Sequence, residues 1–174
     1  GDFFTLNVSS PNTPNLRELQ EKTLLADLLG AVQEKNRQLA KAAQRQQKPV
    51  FVKIAPDMEF AQVDEIVEVV DSFKLAGIVA TNATAFMRDS VKSPLGREPG
   101  GLSGRPITTM VTNFVSHIYR NTRGRLPIIG VGGIFNAQDA YDKITAGASA
   151  VQIYTGFVYE GPAAVKRINQ GLIK

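Results

Sequence analysis

Pro127-Ile128-Ile129-Gly130-Val131-Gly132-Gly133 is a short apolar run that stops in a pair of glycines. The run is continuous rather than alternating, which is how a strand covered on both faces of a parallel sheet reads. Four other runs have the same form: Phe3-Phe4-Thr5-Leu6, Val50-Phe51-Val52-Lys53-Ile54, Gly77-Ile78-Val79-Ala80-Thr81 and Ala150-Val151-Gln152-Ile153-Tyr154. The first of them predicts a short buried strand.

Each run is followed by a stretch of helical spacing. Leu16 to about Gln47 is rich in strong helix formers, with Leu24, Leu25, Leu28, Leu29 and Val32 on one stripe. Gln62–Phe73 repeats the pattern through Val63, Ile66, Val67 and Val70, and Ile107–Tyr119, Asn136–Gly147 and Pro162–Leu172 complete the series. Strand then helix, five times over, predicts an α/β fold with a parallel sheet, one domain over residues 1–174. Polar and glycine residues gather after the strand ends, at Asn7–Asn12, Lys53, Thr81-Asn82, Gly132-Gly133 and Tyr154-Thr155. A doubly wound open sheet and a (β/α) barrel both place ligands there. The barrel is preferred, because every strand end bears a ligand group rather than those at one crevice.

Composition narrows the chemistry. Of 174 residues, 43% are hydrophobic and 21% charged, ordinary values for a globular protein with a real core. The absence of Cys excludes disulfides and thiolate nucleophiles, and a single His117 makes a metal centre a poor expectation. The net charge of +4 is spread along the chain, unlike the concentrated basic face of a nucleic-acid binder. No apolar stretch approaches membrane-spanning length. The chain opens on Gly1-Asp2-Phe3 without an initiator Met, the expectation for a piece of something longer.

Five groups point to a ligand. Gly130-Val131-Gly132-Gly133 lacks the spacing of a dinucleotide fingerprint but presents bare backbone N–H groups, which suit a phosphate as well as tight packing. Tyr154-Thr155-Gly156 repeats this at the neighbouring strand end, and adjacent loops after the last strands are a barrel's usual phosphate site. Gly100-Gly101-Leu102-Ser103-Gly104 is either a further hydroxyl-bearing turn or the hinge of the long Ala83–Gly104 loop, a length typical of lids. Lys53 interrupts an apolar run and reads either as facing a bound anion or as an edge residue reaching water. Asn7-Val8-Ser9-Ser10-Pro11-Asn12 is an active-site rim or an Asx/Ser turn before a helix. A phosphorylated cofactor against a polar pocket, with no acid pair, fits a flavin enzyme better than a hydrolase or a barrel isomerase.

Taken in order, NVSSPN (7–12), VKIAPD (52–57), Thr81-Asn82, GGLSG (100–104), PIIGVGG (127–133) and AGASAVQIYT (146–155) resemble class 2 dihydroorotate dehydrogenases, from Asp2 almost to the C-terminus. The resemblance implies a TIM-type (β/α)8 barrel of which about five units are present here. It implies FMN as cofactor, oxidation of dihydroorotate to orotate in pyrimidine biosynthesis, and a quinone as electron acceptor. Peripheral membrane association of the complete enzyme would run through an N-terminal part absent here.

By the same resemblance Ser10 is the catalytic base, where class 1 enzymes carry Cys. Asn7, Asn12 and Asn82 bind substrate, Asn7 also lying near the flavin. Lys53 and Thr81 contact the flavin ring, and Gly104, Gly132, Gly133, Tyr154 and Thr155 line its phosphate. Many members place a hydroxyl after the Thr-Asn pair, where this chain has Ala83. A serine hydroxyl is a weak base and needs a relay, for which Thr13 is the nearby candidate. The competing expectation is a catalytically inactive fragment that at most binds phosphate or FMN, or joins another chain.

Overall fold

The structure, a computed structural model, describes residues 1–87 and 91–173. Five parallel strands form one sheet in the order β1-β2-β3-β4-β5, with β1 Phe4–Asn7, β2 Val50–Ile54, β3 Gly77–Ala80, β4 Ile128–Val131 and β5 Ala150–Gln152. Each strand pairs with its successor in the chain, for example Lys53 with Val79 and Ala80 with Gly130.

The connecting helices are α1 Lys22–Ala42, α2 Phe60–Ser72, α3 Thr108–Thr122, α4 Ala137–Thr145, α5 Thr155–Glu160 and α6 Ala164–Leu172. Right-handed crossovers between strands in strictly sequential order put successive helices on one face. Accordingly α1 packs on α2, α2 on α3, α3 on α4 and α4 on α6. No strand order reverses, so the topology is a sector of a TIM-type barrel and not a doubly wound sheet.

The core lies between the sheet and this layer of helices. Leu25 and Leu29 of α1, Val63, Ile66 and Val70 of α2, and Val111, Val115 and Ile118 of α3 close over Val52, Ile54, Ile78 and Ile128. A smaller cluster of Ile134, Ala140 and Ile168 seats α6 on α4. Along β2 the pattern alternates, with Val50, Val52 and Ile54 turned to the helices and Phe51 and Lys53 half-buried on the other face. That second face is the one that carries the site.

Three expectations need correction. The first strand is not buried: Phe4, Thr5 and Asn7 are exposed, because β1 pairs on one side only, as does β5. The long first helix is two elements, a 3-10 turn over Leu16–Gln20 and then α1, separated by Glu21 in an extended conformation (φ −59°, ψ 136°). Between β5 and the last helix an additional helix, α5, begins directly at Thr155. Helix α4 starts as its sequence predicts, with Asn136 accepting from Asp139 N at 2.9 Å and Asp139 Oδ2 accepting from Asn136 N at 3.2 Å, a reciprocal capping box.

Candidate active site

The carboxyl ends of all five strands open into one cavity of about 360 Å³. Each residue expected to act as base or to hold substrate or flavin lines it: Asn7, Ser10 and Asn12 after β1, Lys53 on β2, Thr81 and Asn82 after β3, Gly132 and Gly133 after β4, and Tyr154 and Thr155 after β5, with Gly104 from the long loop. Ala83 and Ser103 also reach the wall. Among the described residues no Asp or Glu lines the cavity, and Lys53 is the one ammonium that does.

The two serines after β1 do different things. Ser9 is fully buried, donates its hydroxyl to Asn7 Oδ1 at 2.9 Å and accepts from Asn82 Nδ2 at 3.1 Å. Asn82 Nδ2 also donates to Asn7 Oδ1 at 3.2 Å, so the three side chains lock the ends of β1 and β3 into one rigid amide surface. Ser10 faces the cavity instead, its Oγ accepting from the backbone N–H of Asn12 at 3.2 Å. Alternation along an extended segment accounts for the split. Thr13, the expected relay, is exposed and does not line the cavity, so it is withdrawn from that role.

Burial of Lys53 pushes its ammonium pKa below the ordinary value, because desolvation disfavours the charged form. No ion-pair partner for it lies among the described residues. An ammonium so placed, with no carboxylate among the described residues of the cavity wall, favours an anion.

The glycines supply a cradle. Gly133 has φ +73° and Gly104 φ +81°, a left-handed region that other residues rarely enter. A Cβ on Gly104 would come within 2.9 Å of Thr155 Cγ2, and next to it Ser103 Oγ lies 2.8 Å from Thr155 Oγ1. The long loop is thereby fastened to the start of α5 at the floor of the cavity. Its stem is closed by an antiparallel bridge, Thr84 N to Leu102 O at 3.0 Å and Leu102 N to Thr84 O at 2.8 Å.

Sequence reasoning missed the group that holds these loops. Arg17 donates to Asp57 Oδ2 at 2.6 Å, to Ser9 O at 3.1 Å and to Ala83 O at 3.0 Å. Asp57 also accepts from Ala85 N at 2.7 Å and from the Thr84 hydroxyl. Gln20, buried beneath, accepts from Ala55 N at 2.8 Å. Asp57 stands in the VKIAPD stretch, but nothing local marks Arg17, whose partners lie 40 and 66 residues away.

The family model for dihydroorotate dehydrogenase matches residues 1–174. The dihydroorotate dehydrogenase (quinone) of Christiangramia forsetii is 49% identical over 173 residues, covering 99% of this chain and 49% of its own length. That of Myxococcus xanthus is 50% identical over 168 residues, covering 97% and 44%. The crystal structure of Eimeria tenella DHODH in complex with ferulenol superimposes with a TM-score of 0.92 at 38% identity, covering 99% of this chain and 49% of that one. The chain thus spans about half the length of the relatives it matches. A family match from the first residue to the last, on a barrel sector whose strand ends converge as described, has one consequence: the chain belongs to the dihydroorotate dehydrogenase family.

Proposed function

We propose that this chain forms the FMN- and substrate-binding strand ends of an enzyme that oxidises dihydroorotate to orotate in pyrimidine biosynthesis, with a quinone as acceptor in the complete protein. The observation that carries the reading is the cavity itself. It joins amides, hydroxyls and glycines from five strand ends around one ammonium, and among the described residues no carboxylate lines it to repel a phosphate or an anionic substrate. Peripheral association with a membrane, through parts of the complete protein outside this sequence, belongs to the same proposal. No described helix is long and apolar enough to cross one.

The residues fit FMN. Gly104, Gly132, Gly133, Tyr154 and Thr155 form the phosphate end, where open glycine backbone lets an anion approach N–H groups closely. Lys53 and Thr81, which line the same cavity, take the flavin ring in this reading. FMN bound there supplies the acceptor for the hydride that leaves the substrate. The chain's own part is to hold the substrate between Asn7, Asn12 and Asn82, and to set Ser10 Oγ against the proton on the adjacent carbon, the serine passing its own hydroxyl proton to solvent water as it accepts that one. Lys53 stabilises negative charge that develops beside it, an effect enlarged where water is excluded.

A second reading is favoured by the free edges of β1 and β5: a catalytically inactive sector that at most binds FMN or phosphate, or associates with another chain. Absorbance separates the two. A purified protein completed with the remaining half of a relative should be yellow, bleach with dihydroorotate and regain colour with a quinone. A colourless preparation that takes up no added FMN would overturn the enzyme reading.

A further inference from the structure

Lys143, in the last turn of α4, is 0% exposed, and no ion-pair partner for it lies among the described residues. Its Nζ donates to Thr108 O at 3.0 Å and to Thr112 Oγ1 at 2.6 Å, both in the opening turns of α3. The Thr108 hydroxyl in turn lies 3.2 Å from Gly133 O and 2.9 Å from Arg105 O. A Cβ on Gly133 would stand 2.7 Å from Thr108 Cα, so Thr108 is the surface on which the glycine turn rests. The ammonium is therefore one residue removed from the phosphate end of the cavity.

That arrangement is unfavourable as it stands. A buried ammonium needs a compensating anion. Here its neighbours on α3 are uncharged, Gly130 packs against its stem from β4, and the acidic groups it senses, Asp139 and Asp142, are on its own helix without reaching it. The amino end of α3 carries the positive pole of the helix dipole, which repels a further cation. Two positive features thus back onto one glycine cradle, and an anion in the cradle balances both.

We propose that Lys143 is a positioning residue for the phosphate of FMN: it pins the first turn of α3 beneath Gly133, and its charge is balanced by the bound phosphate. The inference rests on the FMN reading given above and adds to it a residue that never touches the ligand. Desolvation lowers the Lys143 pKa, opposed by Asp139 and Asp142, and a bound phosphate dianion raises it again.

Riboflavin, which lacks the phosphate, is the control. In the barrel completed with the remaining half of a relative, Lys143→Met should weaken FMN binding about tenfold and leave riboflavin binding unchanged, since only the phosphate senses the lost charge. Inorganic phosphate should compete with FMN in the wild type and lose potency in the variant. An equal loss for FMN and riboflavin would mean a packing role only, and no loss for either would mean no role; both overturn the proposal while the reading of the cavity as an FMN site stands.

A wild-type measurement guards against a variant that fails to fold. Above about pH 8 the phosphate remains a dianion, so the preference for FMN over riboflavin should shrink as the pH rises and Lys143, its pKa lowered from 10.5 by burial, loses its proton. Effects of Lys53 on the flavin ring cancel in that ratio. A constant ratio would overturn the proposal. If the wild type takes up neither flavin, the FMN reading itself fails, a result distinct from the others.

Discussion

The Arg17 guanidinium and the Asp57 carboxylate meet at 2.6 Å, and the Asp57 side chain is only 2% exposed. This pair connects three strand ends. Arg17 carries the carbonyls of Ser9 and Ala83, and Asp57 carries Thr84 and Ala85. The loop that presents Ser10 and the loop that begins after Asn82 therefore share one support. Loops that bear a site are ordinarily its most mobile part, and this cross-tie removes that freedom where the site needs it least.

Removing Asp57 leaves the partly exposed Arg17 guanidinium without its carboxylate and the Thr84 and Ala85 donors without an acceptor, so Asp57→Ala should destabilise the fold by about 3 kcal/mol. The loss should appear as a lower urea midpoint, with increased proteolysis near Ala83. Asp57→Asn retains hydrogen-bonding capacity toward Thr84 and Ala85 and should cost less. Equal midpoints for Asp57→Ala and wild type would show that the pair holds nothing.

Much of this organisation is legible in the sequence, for a physical reason. Strands covered by helices must be continuous apolar runs, so the polar residues that end them stand out, and Lys53 stands out further by interrupting one. What local pattern cannot show is pairing across the fold. Arg17 looks like an ordinary helix residue until the 3-10 turn brings it to Asp57. Lys143 reads as a helix lysine of the solvated face, yet it is buried against α3. The exposure of β1 is likewise a property of its place at the sheet edge and not of Phe3-Phe4-Thr5-Leu6 itself.

Lys53 gives a prediction about pH. Burial holds its pKa below 10.5, so between that lowered value and 10.5 the unfolded chain binds more protons than the folded one. Stability of the ligand-free protein should therefore rise with pH through this window. Anionic ligands act in the opposite sense, since they favour the ammonium, and their affinity should fall over the same range. Lys53→Met should lessen the rise of stability, of which buried Lys143 supplies another part, and flatten the fall of affinity, read as urea midpoints and orotate affinity at a series of pH values. A variant that keeps the wild-type slopes would exclude Lys53 as the anion partner.

The 83–101 loop should be the first point of proteolytic attack. Lys92 is exposed, whereas the Thr84–Leu102 bridge pins the stem. Of the other basic sites in the loop, Arg88 falls outside the described residues. Trypsin should cut at Lys92 before it cuts α1 near Arg37, and the nicked chain should remain associated. Orotate should slow the cut. Initial cleavage at Arg37 would count against a lid.

Ala83 lines the cavity where many family members are expected to carry a hydroxyl, and its backbone is already fixed at both ends, N to Asn82 Oδ1 at 2.8 Å and O to Arg17. Ala83→Ser therefore adds a donor without asking the loop to move. One added hydrogen bond to bound orotate corresponds to about 1 kcal/mol, or roughly fivefold in affinity. Isothermal titration should detect it, and unchanged affinity would place the substrate away from this wall.

Ser9 and Ser10 provide the sharpest test, because neighbours of the same chemistry have different surroundings. Ser10 faces the cavity, and Ser9 is consumed in the Asn7–Asn82 lock. In a barrel completed with the remaining half of a relative, Ser10→Ala should leave FMN and orotate bound. The rate of flavin bleaching by dihydroorotate should drop roughly 10²–10⁴-fold, the usual contribution of a positioned general base. Ser10→Cys should recover part of the rate as pH rises, since a thiol ionises far more readily than an alcohol. Ser9→Ala should do the reverse, weakening orotate binding by loosening Asn7 and Asn82 while the saturated bleaching rate changes little. Stopped-flow traces at saturating substrate separate these outcomes. If Ser9→Ala proves the slower enzyme under saturation, the base is not the serine that faces the cavity.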